Sequence, residues 1–147
     1  MKLKMFLLGV LVMLCGGIVP QVNVSAQELK EQTAHITDEE FRDVLEESMG
    51  SIIETRATSR GVNWTVPANR RYCTAYFPVN SGGYILLAMN LSKSAKTGII
   101  DEDGYVRYVT GTSISHTFNI TSSKSYCVFV QNLNATAISA TGSYAWK

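Results

Sequence analysis

The chain of 147 residues holds only two imidazoles, His35 and His116, and three cysteines, Cys15, Cys73 and Cys127. These are the side chains that most readily do acid–base, nucleophilic or metal chemistry. Their placement argues against all three. His116 stands alone after residue 54, and a single imidazole cannot furnish the several ligands of a zinc shell. A Ser-His-acid relay there would need an acid, and the only acids after residue 54 are Asp101, Glu102 and Asp103. Consecutive side chains diverge, so this trio cannot face itself across a glycosidic bond. It also lacks the alternating ligand spacing of a calcium loop. Asp101-Glu102-Asp103-Gly104 reads as the turn of a hairpin. No phosphate-cradling glycine loop and no CxxC pair is present. The expectation is a protein that is not an enzyme, with no catalytic residue, no metal site and no cofactor.

Binding remains. Arg70, Arg71, Lys93 and Lys96 fall around the loops of neighbouring strands, so a basic patch for an anionic ligand is one expectation. Cell-wall polymer, glycan or another anionic surface are the partner classes it would suit. Scattered charges, or charges neutralised by an acidic segment, are the competing reading. Tyr72, Tyr76, Tyr105 and Tyr108 could form a sugar-stacking platform, or simply be core.

The elements that must position these residues begin with an export signal. Lys2 and Lys4 precede an apolar run from Met5 to Val19, and Val24-Ser25-Ala26 offers small residues for signal peptidase. Cleavage is expected between Ala26 and Gln27, leaving a secreted, extracellular protein of bacterial type. The apolar run is short of the roughly 20 residues that span a bilayer, so no stable membrane insertion is expected after cleavage. Leu14 before Cys15 argues against a lipoprotein signal. Cys15 leaves with the signal, and Cys73 and Cys127 remain as an even pair in an oxidising compartment. A disulfide between them is expected, with two buried thiols as the alternative. Loop-closure entropy would set its contribution at about 4 kcal/mol.

Charge is divided along the chain. Gln27 to Glu54 carries nine acids and two bases, whereas Thr55 to Lys147 carries three acids and nine bases. Within the acidic part, Thr37 and Glu40 look like a capping box. Phe41, Val44, Leu45, Met49, Ile52 and Ile53 recur at helical spacing, which predicts an amphipathic helix over 38–54. It would either pack on the domain that follows, bind a partner, or act as a pro-segment removed at Arg56 or Arg60.

From Gly61 the period becomes two. Val62, Trp64 and Val66 share a face, as do Ile85, Leu87, Met89 and Leu91, and then Ile114, His116, Phe118 and Ile120. Tyr126 to Leu133 is apolar on both parities apart from Gln131 and Asn132, as in a central strand. Turns are expected at Asn80 to Gly83, Ser92 to Lys96 and Asp103-Gly104. The fold class is therefore mainly β: an antiparallel β-sandwich, jelly-roll or Ig-like, of seven or eight strands, preceded by one α-helix. A small barrel is the alternative. The domain plan is 1–26 signal peptide, 27–60 acidic segment and 61–147 β-sandwich. Asn63, Asn90, Asn119 and Asn134 each open an Asn-x-Ser/Thr triplet.

The stretch Ser125 to Tyr144, with its rhythm of Tyr126, Val128, Val130, Asn132, Ile138 and Gly142, resembles the last two strands of bacterial pre-peptidase C-terminal domains. It is also similar to small secreted β-sandwich proteins of Gram-positive bacteria with no assigned role. Pre-peptidase domains usually carry acidic residues in several turns, and this chain has one such turn. The resemblance implies a β-sandwich that serves as a non-catalytic accessory module. The leading functional expectation is an exported, non-enzymatic binding or interaction module. The alternative is a cationic toxin or antimicrobial protein held latent by the acidic segment.

Overall fold

The computed structural model describes residues 28–48 and 58–147. The signal segment, the Ala26–Gln27 cleavage site, the stretch 49–54 of the expected helix and Arg56 lie outside the described residues. Among the described residues the protein is mainly β. In chain order the elements are β1 (Gln32–His35), α1 (Glu39–Arg42), β2 (Leu45–Ser48), β3 (Thr58–Val66), β4 (Arg70–Cys73), β5 (Phe77–Val79), β6 (Tyr84–Asp101), β7 (Tyr105–Asn119), β8 (Lys124–Asn132) and β9 (Ile138–Trp146).

The nine strands form one sheet rather than the two of the expected antiparallel sandwich. The sheet is mixed, because β2 runs parallel to β4 while the other pairings are antiparallel. The reason lies in β6 and β7. Ser92 to Lys96, expected to be a turn, is instead part of one long strand, and the β6–β7 register shifts between Asn90 and Ala95. Such an irregularity bends a ribbon without ending it. The first half of β6 pairs β9 along Ile85 to Leu91, and the second half pairs β8 along Lys96 to Asp101. The bent ribbon thus carries hydrogen bonding around the molecule, and the sheet curls over a single main core.

That core holds the alternating residues read from the sequence, including Ile85, Leu87, Met89, Ile114, Phe118, Val128, Val130, Ile138 and Ala140. Phe77, Tyr144 and Trp146 stack on one another at its edge, with centroids 4.2–5.8 Å apart. At full burial, each large side chain contributes about 1.5–3 kcal/mol. Gly142 is indispensable where β9 crosses β6: its φ is +147°, and a Cβ there would meet the carbonyl oxygen of Ala88 at 2.1 Å.

The helix over 38–54 is not what the described part of that stretch forms. It holds one turn, Glu39–Arg42, and then the strand Leu45–Ser48. Nor does the capping box form. Asp38 occupies the N-cap without a side-chain cap bond, and its carboxylate accepts from the backbone N–H of His35. Helical spacing is a weak prior against tertiary pairing. Here Leu45, Glu46, Glu47 and Ser48 lie in register with Arg70, Arg71, Tyr72 and Cys73. That alignment joins acid to base and satisfies edge backbone groups at once.

Candidate functional site

The acidic segment docks on the outer surface of the sheet, and its anchor is Phe41. The ring is fully buried, and it belongs to a second apolar cluster with Cys73, Ile100, Val106, Tyr108, Cys127 and Phe129. It packs edge-on against Tyr108 and Phe129, with centroids 5.4 and 6.0 Å away. Gly98 stands in register with Tyr108 on one side and Phe129 on the other, and β6 and β7 approach so closely there that a Cβ would meet the Arg107 carbonyl oxygen at 2.0 Å.

Two cations flank the same ring. Lys96 Nζ lies 5.2 Å from its centroid and 5.0 Å from that of Tyr108, and Arg71 Cζ lies 5.7 Å from Phe41. Both side chains are buried, with Arg71 3% and Lys96 9% exposed. Buried cations are tolerated when paired, and the acidic segment supplies the partners. Glu40 pairs with Lys96. Glu46 Oε2 lies 3.3 Å from Arg71 Nη2. Burial lowers the pKa of the Lys96 ammonium from its ordinary value. Gln131, fully buried, bridges the two halves of the site: its Nε2 donates to the Glu40 carbonyl at 3.0 Å, and its Oε1 accepts from Arg71 Nη1 at 3.4 Å.

Of the four basic residues expected to form an anionic-ligand surface, the structure brings two together. Arg71 and Lys96 both stand opposite Gln131 in register, beneath the acidic segment. Arg70 is half-buried on the opposite parity of β4, and Lys93 donates from the bend in β6 to Thr136 Oγ1 at 2.7 Å. The tyrosines do not make a platform. Tyr72 packs by Trp64, Tyr76 and Tyr105 are exposed in separate places, and Tyr108 is buried under Phe41.

A second latch holds the start of the segment. Glu31 accepts from Arg107 Nε at 2.6 Å and lies 3.0 Å from His116 Nε2. Burial pushes the Glu31 carboxyl up, but the hydrogen bonds and charges of Arg107 and His116 outweigh it, so the net shift is downward. His116 thus has an acid partner that its position among apolar residues did not announce. A cavity of about 550 Å³ beside it is lined by Glu28, Leu29, Lys30, Glu31 and His116.

His35 is also fixed. Its Nε2 bonds the Asp103 carbonyl oxygen, 3.0 Å away, and its ring meets Tyr105 edge-on at 4.8 Å. The acidic trio is the hairpin turn it was expected to be. Asp101 Oδ1 accepts from the backbone N–H groups of Asp103 and Tyr105, and Lys124 pairs with Asp101 and Asp103 at 2.8 and 2.7 Å. Gly104 supplies the positive φ of +84°. No cluster of three or more metal-ligating side chains occurs among the described residues.

The expected Cys73–Cys127 bridge is not formed. Both cysteines are buried free thiols on the adjacent strands β4 and β8. Cys73, hydrogen-bonded to Cys127 and desolvated, is pushed up. Cys127 is held down by hydrogen bonds from Cys73 and Tyr76 against its burial.

Sequence reasoning placed Phe41 on an apolar stripe that could pack on the domain but did not single it out as the anchor, and it missed the roles of Gly98 and Gln131. Gln131 did leave a signal, as a polar residue in an otherwise apolar central strand. No family model and no curated protein matches this chain. Among solved structures, it is similar to the periplasmic g-type lysozyme inhibitor PliG of Aeromonas hydrophila. The identity is 9%, over 71% of this chain and 98% of that one, with a TM-score of 0.40.

Proposed function

We propose that this chain is an exported, non-enzymatic binding module that recognises an anionic ligand through the outer surface of its sheet, at the pocket under Phe41. The observation that carries this reading is the construction of that pocket. An aromatic side chain is fully desolvated between two rings and two cations, and carboxylates at a half-exposed rim complete it. Buried aromatic anchors ringed by polar contacts are where binding energy concentrates in protein interfaces. Arginine and lysine are rarely buried so fully unless paired. The pocket is therefore built around a negatively charged occupant, and the chain's own acidic segment fills that role.

The test compares the mature chain with its Glu40→Gln/Glu46→Gln variant on immobilised teichoic acid, anionic glycan and acidic peptide. Binding that strengthens when the resident carboxylates are neutralised supports the reading. Absence of binding to every ligand by both proteins would overturn it.

The ion pairs Lys96–Glu40 and Arg71–Glu46 also favour a second reading, in which the acidic segment is a pro-segment that masks a cationic toxin or antimicrobial protein. N-terminal sequencing of the secreted form separates the two. A start at Gln27 alone, with no activity gained on trimming to Gly61, removes the latency reading.

A further inference from the structure

We infer that the pocket under Phe41 takes an acidic peptide from a separate protein. The peptide carries an aromatic residue directly after one carboxylate and a second carboxylate five residues further on, and it displaces this chain's own segment. This rests on the binding-module reading and names the ligand of that same site. The resident spacing is Glu40-Phe41 followed by Glu46, and the pocket is arranged to read it. Lys96 and Arg71 sit on either side of Gln131 in the strand register, and the Phe41 ring lies between the two cations. Gln131 adds a donor for one backbone carbonyl, which is a contact for a peptide rather than for a free anion.

The resident is an imperfect occupant. Arg71 meets Glu46 and Gln131 at 3.3 and 3.4 Å, beyond the roughly 2.7–2.9 Å of a good charge-assisted bond. Its Nε is buried with no hydrogen-bond partner among the described residues. A buried guanidinium nitrogen without an acceptor carries a desolvation cost. A carboxylate placed to take both Nε and Nη2 would remove it. The resident strands are also short. β1 and β2 are four residues each, and all of β2 is exposed. A competing peptide can pair the four residues of the β4 backbone as β2 does, by strand addition.

The covalent link favours the resident, since a tethered segment competes at an effective concentration that a free peptide must overcome. Weakening the resident must therefore raise the affinity for a peptide added in trans. The probe is a fluorescent synthetic peptide of residues 37–48 (TDEEFRDVLEES), followed by anisotropy against the full mature chain, its Phe41→Ala variant and its Glu40→Gln/Glu46→Gln variant. The second variant keeps the anchor, in case the first does not fold; cooperative melting checks both. The expected result is binding to a folded variant at least about tenfold tighter than to the intact chain. Added salt should weaken it, and it should be lost when the peptide itself carries Phe41→Ala or when the chain carries Arg71→Gln.

Equal, weak binding to the intact chain and to folded variants overturns the inference. If the ligands of the immobilised panel still bind, the binding-module reading survives that outcome. A concentration-dependent dimer of the wild-type chain that excludes the peptide would also overturn it, by making a second copy the occupant.

Discussion

The outer surface of the curled sheet has two halves, and β6 and β7 run through both. In one half, the outward positions of β4, β8, the end of β6 and the start of β7 are Arg71, Cys73, Cys127, Phe129, Gln131, Lys96, Gly98, Ile100, Val106 and Tyr108. The acidic segment covers them. In the other half, the first part of β6 presents Tyr84, Leu86, Ala88 and Asn90. Their neighbours on β7 are Ser113, Ser115, Thr117 and Asn119, and further neighbours come from β9 and β3. Those outward positions carry no charge and are exposed or half-exposed. Most of these are hydroxyls and amides, content in water, with Tyr84 and Leu86 the exposed large apolar side chains among them, so that half needs little cover. Stripped of its segment, the first half would expose aromatic and aliphatic surface together with two cations, a combination that marks interaction sites. The contrast teaches that the segment is a cover placed where side-chain chemistry demands one. Three of the four Asn-x-Ser/Thr asparagines that follow residue 27, Asn63, Asn90 and Asn119, lie on the bare half.

The contrast is broken most strongly at the anchor. Phe41→Ala should cost about 3–5 kcal/mol, the range for a buried phenylalanine truncated to alanine, read as a drop in the urea midpoint. A loss under about 1 kcal/mol would mean that the segment contributes little to the fold. Next comes Arg71→Met, which removes one cation but leaves Glu46 on a half-exposed rim. The expected loss is about 1–2 kcal/mol, and a rise in stability would show that desolvating the guanidinium outweighs its pairing.

The second latch makes a pH prediction. The Glu31 carboxyl is held below its ordinary value by Arg107 and His116. Its contribution is therefore fully present above the ordinary carboxylate range, and it is lost as pH falls through the lowered value. The gap in melting temperature between wild type and Glu31→Gln should narrow as the medium is acidified below that range. A gap that widens on acidification would reverse the assignment.

Air oxidation of the folded chain tests the thiols. If Cys73 and Cys127 join, intact mass falls by one pair of hydrogens and neither sulfur alkylates after unfolding. Full alkylation after prolonged oxidation would leave them as packing residues. The smallest effect belongs to the bare half. Ser115→Ala and Thr141→Ala should each shift stability by no more than about 0.5 kcal/mol, measured in the same denaturant series.

Much of the main core was legible, because period-two alternation survives wherever a strand has one dry side. Ile85, Leu87 and Met89 alternate with Leu86, Ala88 and Asn90 as the sequence implies. Residues 38–48 were misread because the same acids and apolar residues suit two periods. Phe41 and Val44 keep helical spacing and are buried, yet Leu45 is 60% exposed once that stretch becomes a strand beside β4. The site was legible only in fragments. Arg71 and Lys96 were singled out and neutralisation by the acidic segment was the competing reading, but Glu40 and Glu46 as the partners were not legible, since pairing across such a separation leaves no local trace.

By itself, the sequence determined the β-rich character, the division into an acidic segment and a basic remainder, and the turn at Asp101 to Gly104. All of these rest on local composition, period and turn chemistry. Only the tertiary structure decided that the sheet is single and curled, that the segment docks through Phe41, and that Glu31 finds Arg107 and His116. Those outcomes depend on strand register and on contacts between residues distant along the chain. Their free energy is gained when the surfaces meet, and no window of sequence contains both sides.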